Sequence, residues 1–535
     1  MKKLKLLAFL MAFAFILTAC GKPADNNKGT DAPNAPAVEG TEKGSSKKGG
    51  LMILGVGSDP TSVNPLFAND RVSLTITNVL YDKLYNVKSG KVVYDGLAES
   101  MTPSEDHLTY TLKLKNGIKW HDGKDITADD IIFTYDSILD DKQNAKGQNV
   151  LKSEAGVVEY KKVDDKTIEY KLPKVDMTFL NGIAGISPIP KHVFEGEAEI
   201  AKSPKNAEPI GSGPFKFKEH KTGELYQVER FEDYHGDVAK LDGIAYKVIP
   251  DANASMVALE NGEISVSYIK PKDVAKYKKN DNFEIVTFSE GMVDNLFFRV
   301  NSEKLNDVKV RQAISYAIDK TKLIQGTYLS EDYADPAYSA FSTNTGFFSD
   351  DVEKYDHNVE KAKKLLKEAG KENLELKLMY TSGSPAQEKE SLLIQEMLKE
   401  VGINVELLPM ERATFIEKLL DPSNHDFDMA INGYVMGDNP DSYSSIFKSN
   451  SSENFSNYKN PKIDELFEQA KTETDEAKRG EIYKEIQQIL ADDAVEYPVA
   501  NVKSILAVRK EFKNLDAANP APIHMFDYFN KIESK

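Results

Sequence analysis

Residues 374–408, LELKLMYTSGSPAQEKESLLIQEMLKEVGINVELL, decide the fold. Residues 374–380 predict a strand, and the next segment, Ser384-Pro385-Ala386-Gln387, supplies an N-cap, a first-turn proline and a capping-box glutamine for a helix. The helix runs to Gly402, and residues 403–408 predict the next strand. A strand, a helix and a strand in this order form a parallel pair with a right-handed crossover.

The flanking sequence continues this alternation in both directions. Asp356 is the predicted cap of a preceding helix that ends at Gly370 and has these apolar residues on one face: Val359, Ala362, Leu365, Leu366 and Ala369. Residues 412–420 predict a later helix, and residues 427–432 predict a third strand. The sequence therefore predicts a β-α-β-α-β unit in an α/β protein.

Ligands of open parallel sheets bind beyond the carboxyl ends of the strands. Three loops leave those ends here, at residues 381–384, 409–411 and 433–443. The third loop, GYVMGDNPDSY, is long and polar and carries aromatic and acidic residues. Topology alone makes this third loop the candidate binding site.

The amino terminus has the features of a secretion signal. Three lysines precede the apolar run 6–17, which is too short to span a bilayer comfortably, and small residues lead into Cys20, the only cysteine of the chain. This pattern predicts cleavage before Cys20, lipidation of Cys20 and anchoring to the cell membrane on its extracytoplasmic side. Residues 21–50 are rich in Gly, Pro, Ala, Asn and Lys and predict a disordered tether.

The body from Leu51 onward is too long for one hydrophobic core, so two or three domains are expected. Residues 94–208 are rich in strand patterns, among them a half-buried strand at 108–114 and a hairpin that turns at Asp164-Asp165. The formal charge is −17 and becomes −20 when residues 1–19, with their three lysines, are removed. This acidity argues against a nucleic-acid partner.

Several segments, taken together, resemble the family 5 extracellular solute-binding proteins of ABC importers, a group of oligopeptide-, dipeptide- and nickel-binding proteins. The segments follow the family's order and extend over most of the mature chain. They are residues 97–100, 108–114, 119–124 (KWHDGK), 127–131, 211–215 (GSGPF), 310–320 (VRQAISYAIDK) and 457–464 (NYKNPKID).

The resemblance implies a two-lobed periplasmic-binding-protein fold of class II, cluster C type, with an additional domain on the first lobe. Its domains, carried onto this chain, are lobe I at 51–93, 209–290 and 504–535, the additional domain at 94–208, and lobe II at 291–503. We expect a monomer without a cofactor or metal. A short peptide would bind between the lobes, which close over it by hinge motion, and an ABC permease in the membrane would receive it.

A peptide's ammonium enclosed between two lobes needs a carboxylate partner, because an unpaired buried charge costs on the order of several kcal/mol. Peptide-binding members of the family place an aspartate behind an aromatic residue in the loop that corresponds to 433–443. Tyr434 stands at the aromatic position, and Asp438 is the nearest match for the carboxylate, although it lies one residue further along. Asp441 is the alternative, and turn chemistry around Asn439-Pro440 explains both acids equally well.

The rest of the predicted ligand-binding set is Val435, Met436, Gly437 and Ser58. Val435 and Met436 would offer main-chain hydrogen bonds to an extended peptide, as in strand addition. Ser58 follows the first strand, at a position that faces the cleft in the family. Packing beneath the loop, or in an edge strand, explains the same residues without a ligand. Arg311 lies in an amphipathic helix and is predicted to be a structural ion-pair residue, and His121-Asp122-Gly123 is predicted to be a turn.

Three rival functions remain. A secreted hydrolase is disfavoured, because the chain has no Gly-x-Ser-x-Gly elbow, no His-Glu-x-x-His and no phosphate loop. A nickel-chelate or haem carrier has the same fold, but His425 is the only candidate metal ligand near the loop and precedes the strand, at the wrong end of the sheet. A surface receptor or adhesin would bind peptide in the same way and signal instead of transporting it.

Overall fold

The computed structural model describes residues 49–88 and 90–535, so the predicted signal, Cys20 and most of the tether lie outside the described residues. In that described part, no helix is both long and apolar enough to cross a membrane. An eleven-stranded mixed sheet forms the centre of the molecule. Its strands, in chain order, are β1 (Leu51–Val56), β2 (Phe215–Lys221), β3 (Leu225–Arg230), β4 (Gly243–Val248), β5 (Val266–Tyr268), β6 (Phe283–Phe298), β7 (Ala334–Pro336), β8 (Leu374–Thr381), β9 (Ile403–Met410), β10 (Met429–Val435) and β11 (Glu496–Arg509).

Two long antiparallel strands, β6 and β11, form the middle of this sheet. Their ladder runs from Phe283 opposite Arg509 to Phe297 opposite Glu496. Beyond β11 the sheet continues through β5, β1, β4, β3 and β2, and beyond β6 it continues through β10, β8 and β9. The β6–β11 ladder therefore joins two half-sheets, and β7 pairs with β11 beside it.

The longer helices surround this sheet. They are α1 (Arg71–Leu80), α2 (Ala128–Leu139), α3 (Ala252–Asn261), α4 (Val308–Ala317), α5 (Lys320–Tyr328), α6 (Val359–Glu368), α7 (Pro385–Glu400), α8 (Arg412–Leu420), α9 (Pro461–Thr472) and α10 (Glu476–Asp492). Several of them, among them α5, α7 and α8, pack against the strands of the sheet. Side-chain acceptors satisfy the amides of the helices' first turns, as Asp70 does for α1, Asp251 for α3 and Ser384 for α7.

The predicted β-α-β-α-β unit is confirmed. β8 and β9 pair in parallel, with Leu374 opposite Ile403, and α7 connects them. β10 lies on the other side of β8 and is also parallel to it, with Leu378 opposite Met429. The first strand of the unit therefore lies between the other two.

Two predicted boundaries in this unit are wrong. Asn358, not Asp356, caps α6, because its Oδ1 accepts a hydrogen bond from the amide of Lys361 at 2.9 Å. The third strand continues to Val435 and does not end at residue 432, because its last residues pair with β6, where Met292 lies opposite Val435. Residue propensity alone determines neither boundary. The first depends on a side-chain hydrogen bond of the cap, and the second depends on pairing with β6.

Buried apolar side chains form separate clusters on the two sides of the β6–β11 pair. Leu54 and Val266 belong to one cluster, on the side of β1 and β5. Leu296, Leu378 and Ile431 belong to another, on the side of β8 and β10. We call the body around the first cluster lobe I and the body around the second lobe II. The residue limits predicted for these bodies stay a prediction.

A second, four-stranded antiparallel sheet packs on lobe I, and its Tyr110 and Leu112 share the lobe I cluster. Its strands, in spatial order, are Ala98–Pro103, Thr109–Leu114, Thr167–Lys171 and Glu159–Asp164. Thr127 and Asp130 cap the adjoining helix α2 with a capping box. The strand and hairpin predicted between residues 108 and 172 are therefore confirmed.

Two of the motifs that carry the family resemblance meet inside lobe I. Nδ1 of His121 accepts a hydrogen bond from the amide of Gly211 at 3.0 Å, so Nε2 donates to the carbonyl oxygen of Gly213 at 3.0 Å. Burial lowers the pKa of His121 to about 4, which keeps its imidazole neutral near pH 7. A Cβ on either glycine would collide with the main-chain carbonyls of Val79 and Leu80 in α1. These motifs therefore hold lobe I together.

Arg311 occupies a structural position in α4, as predicted, but its partners are not carboxylates. Its side chain is 5% exposed, and the guanidinium donates at 2.5 to 3.2 Å to the carbonyl oxygens of Leu305, Asn306, Asp493 and Ala494. Two of these carbonyls follow the end of α10, where no helical amide can reach them. Arg311 thus ties the end of α10 to the segment that precedes α4.

We expect Arg311→Leu to lower the free energy of unfolding by about 3 kcal/mol or more, because each buried carbonyl left without a donor costs roughly 1–3 kcal/mol. Arg311→Lys should lose a large part of this stability, since an ammonium lacks the planar fork. Urea denaturation followed by circular dichroism measures the change.

Lys309→Met on the same helix is the control. Its ammonium forms an exposed ion pair with Glu368 at 2.9 Å, so its removal should leave the urea midpoint unchanged. Equal midpoints for the Arg311→Leu protein and the wild type would contradict the structural role of Arg311.

Candidate ligand-binding cleft

A cleft of about 800 Å³ separates residues of lobe I and its small domain from residues of lobe II. Its lining residues are Lys83, Asn86, Val87, Lys88, Asn181, Ala184, Gly185, Ser289, Thr343, Asn344, Met436, Gly437, Asp438, Asn439, Asn519, Pro520, Ala521, Pro522, His524 and Asp527. This volume falls in the range of small-molecule sites, which is roughly 300–1,000 Å³. Both lobes supply polar side chains to it, so a ligand here would contact both.

Three of the predicted site residues, Met436, Gly437 and Asp438, line the cleft. The carbonyl oxygen of Gly437 accepts a hydrogen bond from Thr345 Oγ1 at 3.0 Å, and that of Asp438 accepts one from the amide of Gly346 at 2.9 Å. Gly437 has φ 69°, a left-handed conformation that suits glycine. The loop is therefore fixed against a neighbouring segment of lobe II, and its position does not depend on a ligand.

Tyr434 and Val435 belong to β10, and their side chains have different surroundings. The Tyr434 ring is 7% exposed and packs in a lobe II cluster, with its hydroxyl 2.6 Å from Glu496 Oε1 and 2.7 Å from the Ala340 carbonyl oxygen. Val435 is 45% exposed, and a Cβ on Gly291 would lie 3.9 Å from its Cγ1. Neither side chain is part of the cleft lining.

Asp441 lies beneath the loop and away from the cleft lining. Its Oδ2 is 3.3 Å from Nζ of Lys471, and burial raises the pKa of its carboxyl to about 6. Its amide donates to Asn439 Oδ1 at 3.1 Å, as expected for turn chemistry. The carbonyl oxygen of Lys471 accepts a hydrogen bond from the amide of Met177, in the small domain, at 2.8 Å. Of the two candidate acids, only Asp438 lines the cleft.

Ser58 is exposed beyond the end of β1 and does not belong to the cleft lining. Its Oγ donates to the carbonyl oxygen of Asp59 at 3.1 Å. The Asp59 carboxylate in turn accepts from the amide of Gly223 at 2.7 Å, in the hairpin between β2 and β3. The other loop considered, residues 381–384, caps α7 through Ser384 and is also absent from the cleft lining.

The sequence did not single out the lobe I wall of the cleft. Its charged residues are Lys83, Lys88 and Asp527, and the ammonium of Lys88 is hydrogen-bonded to the Tyr528 hydroxyl and lies 4.2 Å from the centre of that ring. Burial lowers the pKa of His524 to about 4, so that imidazole is neutral. These residues come from two distant segments with no motif of their own, and only folding brings them together.

The described residues contain no group of three or more His, Cys, Asp or Glu side chains placed to hold a metal ion. The cleft instead offers amide side chains from Asn86, Asn181, Asn344, Asn439 and Asn519. Amides can donate and accept at once, which suits a ligand that has both kinds of group along its length.

Known proteins resemble this chain in sequence and in fold. The sequence model of the bacterial extracellular solute-binding proteins, family 5 Middle, matches residues 92–457, more than half of the chain. This chain belongs to the family 5 extracellular solute-binding proteins of ABC importers. The family resemblance predicted from the motifs is therefore confirmed.

The relatives of this family 5 protein match it over nearly their whole length. It is 32% identical over 516 residues to the oligopeptide-binding protein AppA of Bacillus subtilis, which covers 92% of this chain and 91% of the relative. It is 26% identical over 530 residues to heme-binding protein A of Haemophilus influenzae, with 93% and 94% covered.

A solved family structure supports the fold. The ABC transporter substrate-binding protein CtaP of Listeria monocytogenes superimposes on this protein with a TM-score of 0.87 and 42% sequence identity, covering 91% of this chain and 99% of that one. The predicted two-lobed fold of the periplasmic-binding-protein type is thereby confirmed.

The burial of Glu496 predicts a pH dependence of stability. Burial raises the pKa of Glu496 to about 8, so the folded protein holds a proton that the unfolded chain releases between about pH 4.5 and pH 8. The free energy of unfolding should therefore fall as the pH rises through this window. Glu496→Gln removes this contribution. Across the window, the free energy of unfolding of the wild type should therefore fall by about 2 kcal/mol or more beyond the fall of the variant.

Urea unfolding at pH 5, 6, 7 and 8 measures the difference between the two proteins. Other buried acids are common to both, so the difference isolates Glu496. Glu406→Gln, at an exposed position of β9, is the control and should keep the wild-type slope. Parallel curves for the wild type and Glu496→Gln would show that Glu496 is ionised in the folded protein.

Proposed function

We propose that this protein captures short peptides in the cleft between its lobes and delivers them to the permease of an ABC importer. The observation that carries the proposal is the position of Asp438 in the lining of an 800 Å³ cleft that both lobes enclose. A carboxylate there can neutralise the ammonium of a free peptide where water is excluded. The relative named an oligopeptide-binding protein supports the same ligand class.

Loop 433–443 offers a further feature that suits peptides. Residues 436–438 follow directly on strand β10 and line the cleft, so their main-chain amides are candidate donors to a ligand. Hydrogen bonds to these groups would hold a ligand by its backbone, whatever its side chains. This mode of binding fits a carrier that accepts many sequences.

We infer that the lobes close by bending at the β6–β11 pair. The ladder is irregular between Ser289 and Met292, close to the predicted limits of the lobes at 290/291 and 503/504. Gly291 has φ 66° within this irregularity, a conformation that other residues rarely adopt. In the present conformation the small domain contacts lobe II through Met177, and Lys174 lies 3.6 Å from Glu468. A hinge at the bulge would make and break these contacts.

We also infer that Cys20 carries the lipid anchor and that residues 21–50 act as the tether to the membrane, with a monomeric binding body above it. Two acyl chains suffice for stable anchoring, and a flexible tether lets the body reach a membrane partner.

A chelate or haem carrier is the alternative within the family, as the Haemophilus relative illustrates. The cleft offers such a ligand a single histidine, His524, whose Nδ1 is buried.

Native mass spectrometry of the full-length protein, purified from its own secretion system without refolding, tests the ligand class. We expect co-purified masses that correspond to a family of short peptides. One non-peptide mass, or a metal-bound mass, would contradict the proposal and favour the chelate carrier. Cleavage of an added peptide mixture would indicate an enzyme, and capture of a partner other than a permease would favour a receptor.

The second test concerns Asp438. Asp438→Asn should weaken binding of free peptides by about 10- to 100-fold, the value of a charge-assisted hydrogen bond, and should leave binding of amino-terminally acetylated peptides nearly unchanged. Isothermal titration calorimetry measures both affinities.

Asp441→Asn serves as the matched control, since it removes a carboxyl from the same loop that pairs with Lys471 outside the cleft. Its effect should be the same for free and acetylated peptides. A loss for Asp438→Asn that is equal for the two ligands would show that Asp438 does not bind the ammonium.

A further inference from the structure

One lysine of the cleft, Lys83, has an ammonium without a partner. It is partly buried, and no carboxylate among the described residues lies within 4.0 Å of its Nζ, nor does any described group accept a hydrogen bond from it. The other lysines near it are engaged, Lys88 with the Tyr528 hydroxyl and Lys531 with Asp237. A lysine that lines a cleft and has no internal partner is available to an anionic group of a ligand.

The main chain at Lys83 is held firmly, so its place in the cleft is a fixed feature. Its carbonyl oxygen accepts a hydrogen bond from the amide of Leu97 at 3.0 Å, and the next carbonyl, of Leu84, accepts one from Ala98 at 2.7 Å. A Cβ at Gly96 would collide with the Lys83 carbonyl oxygen, so glycine there permits this close approach. The side chain therefore projects from a rigid support.

Lys83 lines two adjoining cavities. One is the cleft, and the other is a lobe I cavity of about 490 Å³ that shares Lys83, Asn86 and Asp527 with it. The ammonium thus belongs to the boundary between the main cleft and a side chamber. A ligand group held at this boundary would have room on both sides.

The acids of the side chamber already have partners of their own. Asp82 Oδ2 is 2.6 Å from Nε2 of His235, and Asp95 accepts from Asn86 Nδ2 at 2.9 Å. Asp527 is hydrogen-bonded to Asn519, and burial raises the pKa of its carboxyl although the charges of Lys83 and Lys88 lower it. None of these acids forms an ion pair with Lys83 within 4.0 Å, so its ammonium can still pair with a ligand.

We propose that Lys83 binds a carboxylate of the ligand, so that one peptide joins Asp438 of lobe II to Lys83 of lobe I. This inference rests on the proposed function. It narrows the ligand class to peptides that carry both charges, and it gives a reason for closure, since a single zwitterion attracts both lobes. A ligand without a carboxylate would close the cleft over an unpaired ammonium, which selects against it.

Calorimetry with the full-length protein tests the proposal, using tri-, tetra- and penta-alanine and the carboxyl-terminal amide of each. The wild type should bind the free acids more tightly than the amides. Lys83→Gln should weaken binding of the free acids by about 10- to 100-fold and leave binding of the amides unchanged. Lys83→Arg should keep the wild-type preference, because guanidinium also pairs with carboxylate.

An additional ligand, Ala-Ala-Glu-Ala amide, distinguishes the source of the carboxylate. If it binds as tightly as free tetra-alanine and loses affinity in Lys83→Gln, the side-chain carboxylate can serve; otherwise the terminal carboxylate is required. Lys91→Gln is the charge-matched control, since Lys91 is exposed in the hairpin of residues 86–93 that follows Lys83, and it does not line the cleft. It should bind every ligand as the wild type does.

Two failures are distinguishable. If the wild type binds none of the peptides and yields no peptide masses on purification, the proposed function fails, and the inference fails with it. If the wild type binds peptides but Lys83→Gln weakens acids and amides equally, with an unchanged thermal midpoint, Lys83 does not bind a carboxylate and the peptide function stands.

Discussion

The ladder between β6 and β11 is the interaction on which the rest of the structure depends. These two strands run antiparallel through the middle of the sheet, and both half-sheets are built outward from them. Because both half-sheets are hydrogen-bonded to this pair of strands, the ladder fixes the position of each lobe relative to the other. A bulge interrupts the pairing between Ser289 and Met292, and this stretch is the hinge that we propose for closure of the lobes. One pair of strands thus connects the two lobes and contains the proposed hinge.

Lobe II buries several ionisable groups beside this ladder without leaving them as isolated charges. Burial raises the pKa of Asp294, which accepts from the Tyr328 hydroxyl, and that of Glu390. Lys320 donates to the carbonyl oxygen of Pro498 at 2.7 Å and lies 4.5 Å from the Tyr497 ring centre, and burial lowers its pKa to about 7. None of these three groups lines the cleft. The cleft differs, because Lys83 on its lobe I wall is left without an internal partner.

The sequence predicted the local architecture well wherever the signal lies within one element. Apolar periodicity and capping residues gave β8, α7, β9 and α8 nearly as the structure has them. The errors occur where a distant partner decides. The third strand of the predicted unit, for example, continues past residue 432 to Val435 because β6 pairs with it. In the site, the topological rule identified the loop with Asp438, but it gave no information on which way the Tyr434 ring points.

Taken alone, the sequence determined the secretion signal pattern, the β-α-β-α-β unit, the family and the loop that lines the cleft, because each is encoded in contiguous residues or in motifs of fixed spacing. Only the tertiary structure decided which of the two acids lines the cleft and which is buried against Lys471. It also decided that Lys83 stands on the opposite wall from Asp438, 355 positions away in the chain. The physical reason is that burial and charge pairing are properties of three-dimensional neighbours, and residues far apart in sequence become neighbours only when the chain has folded.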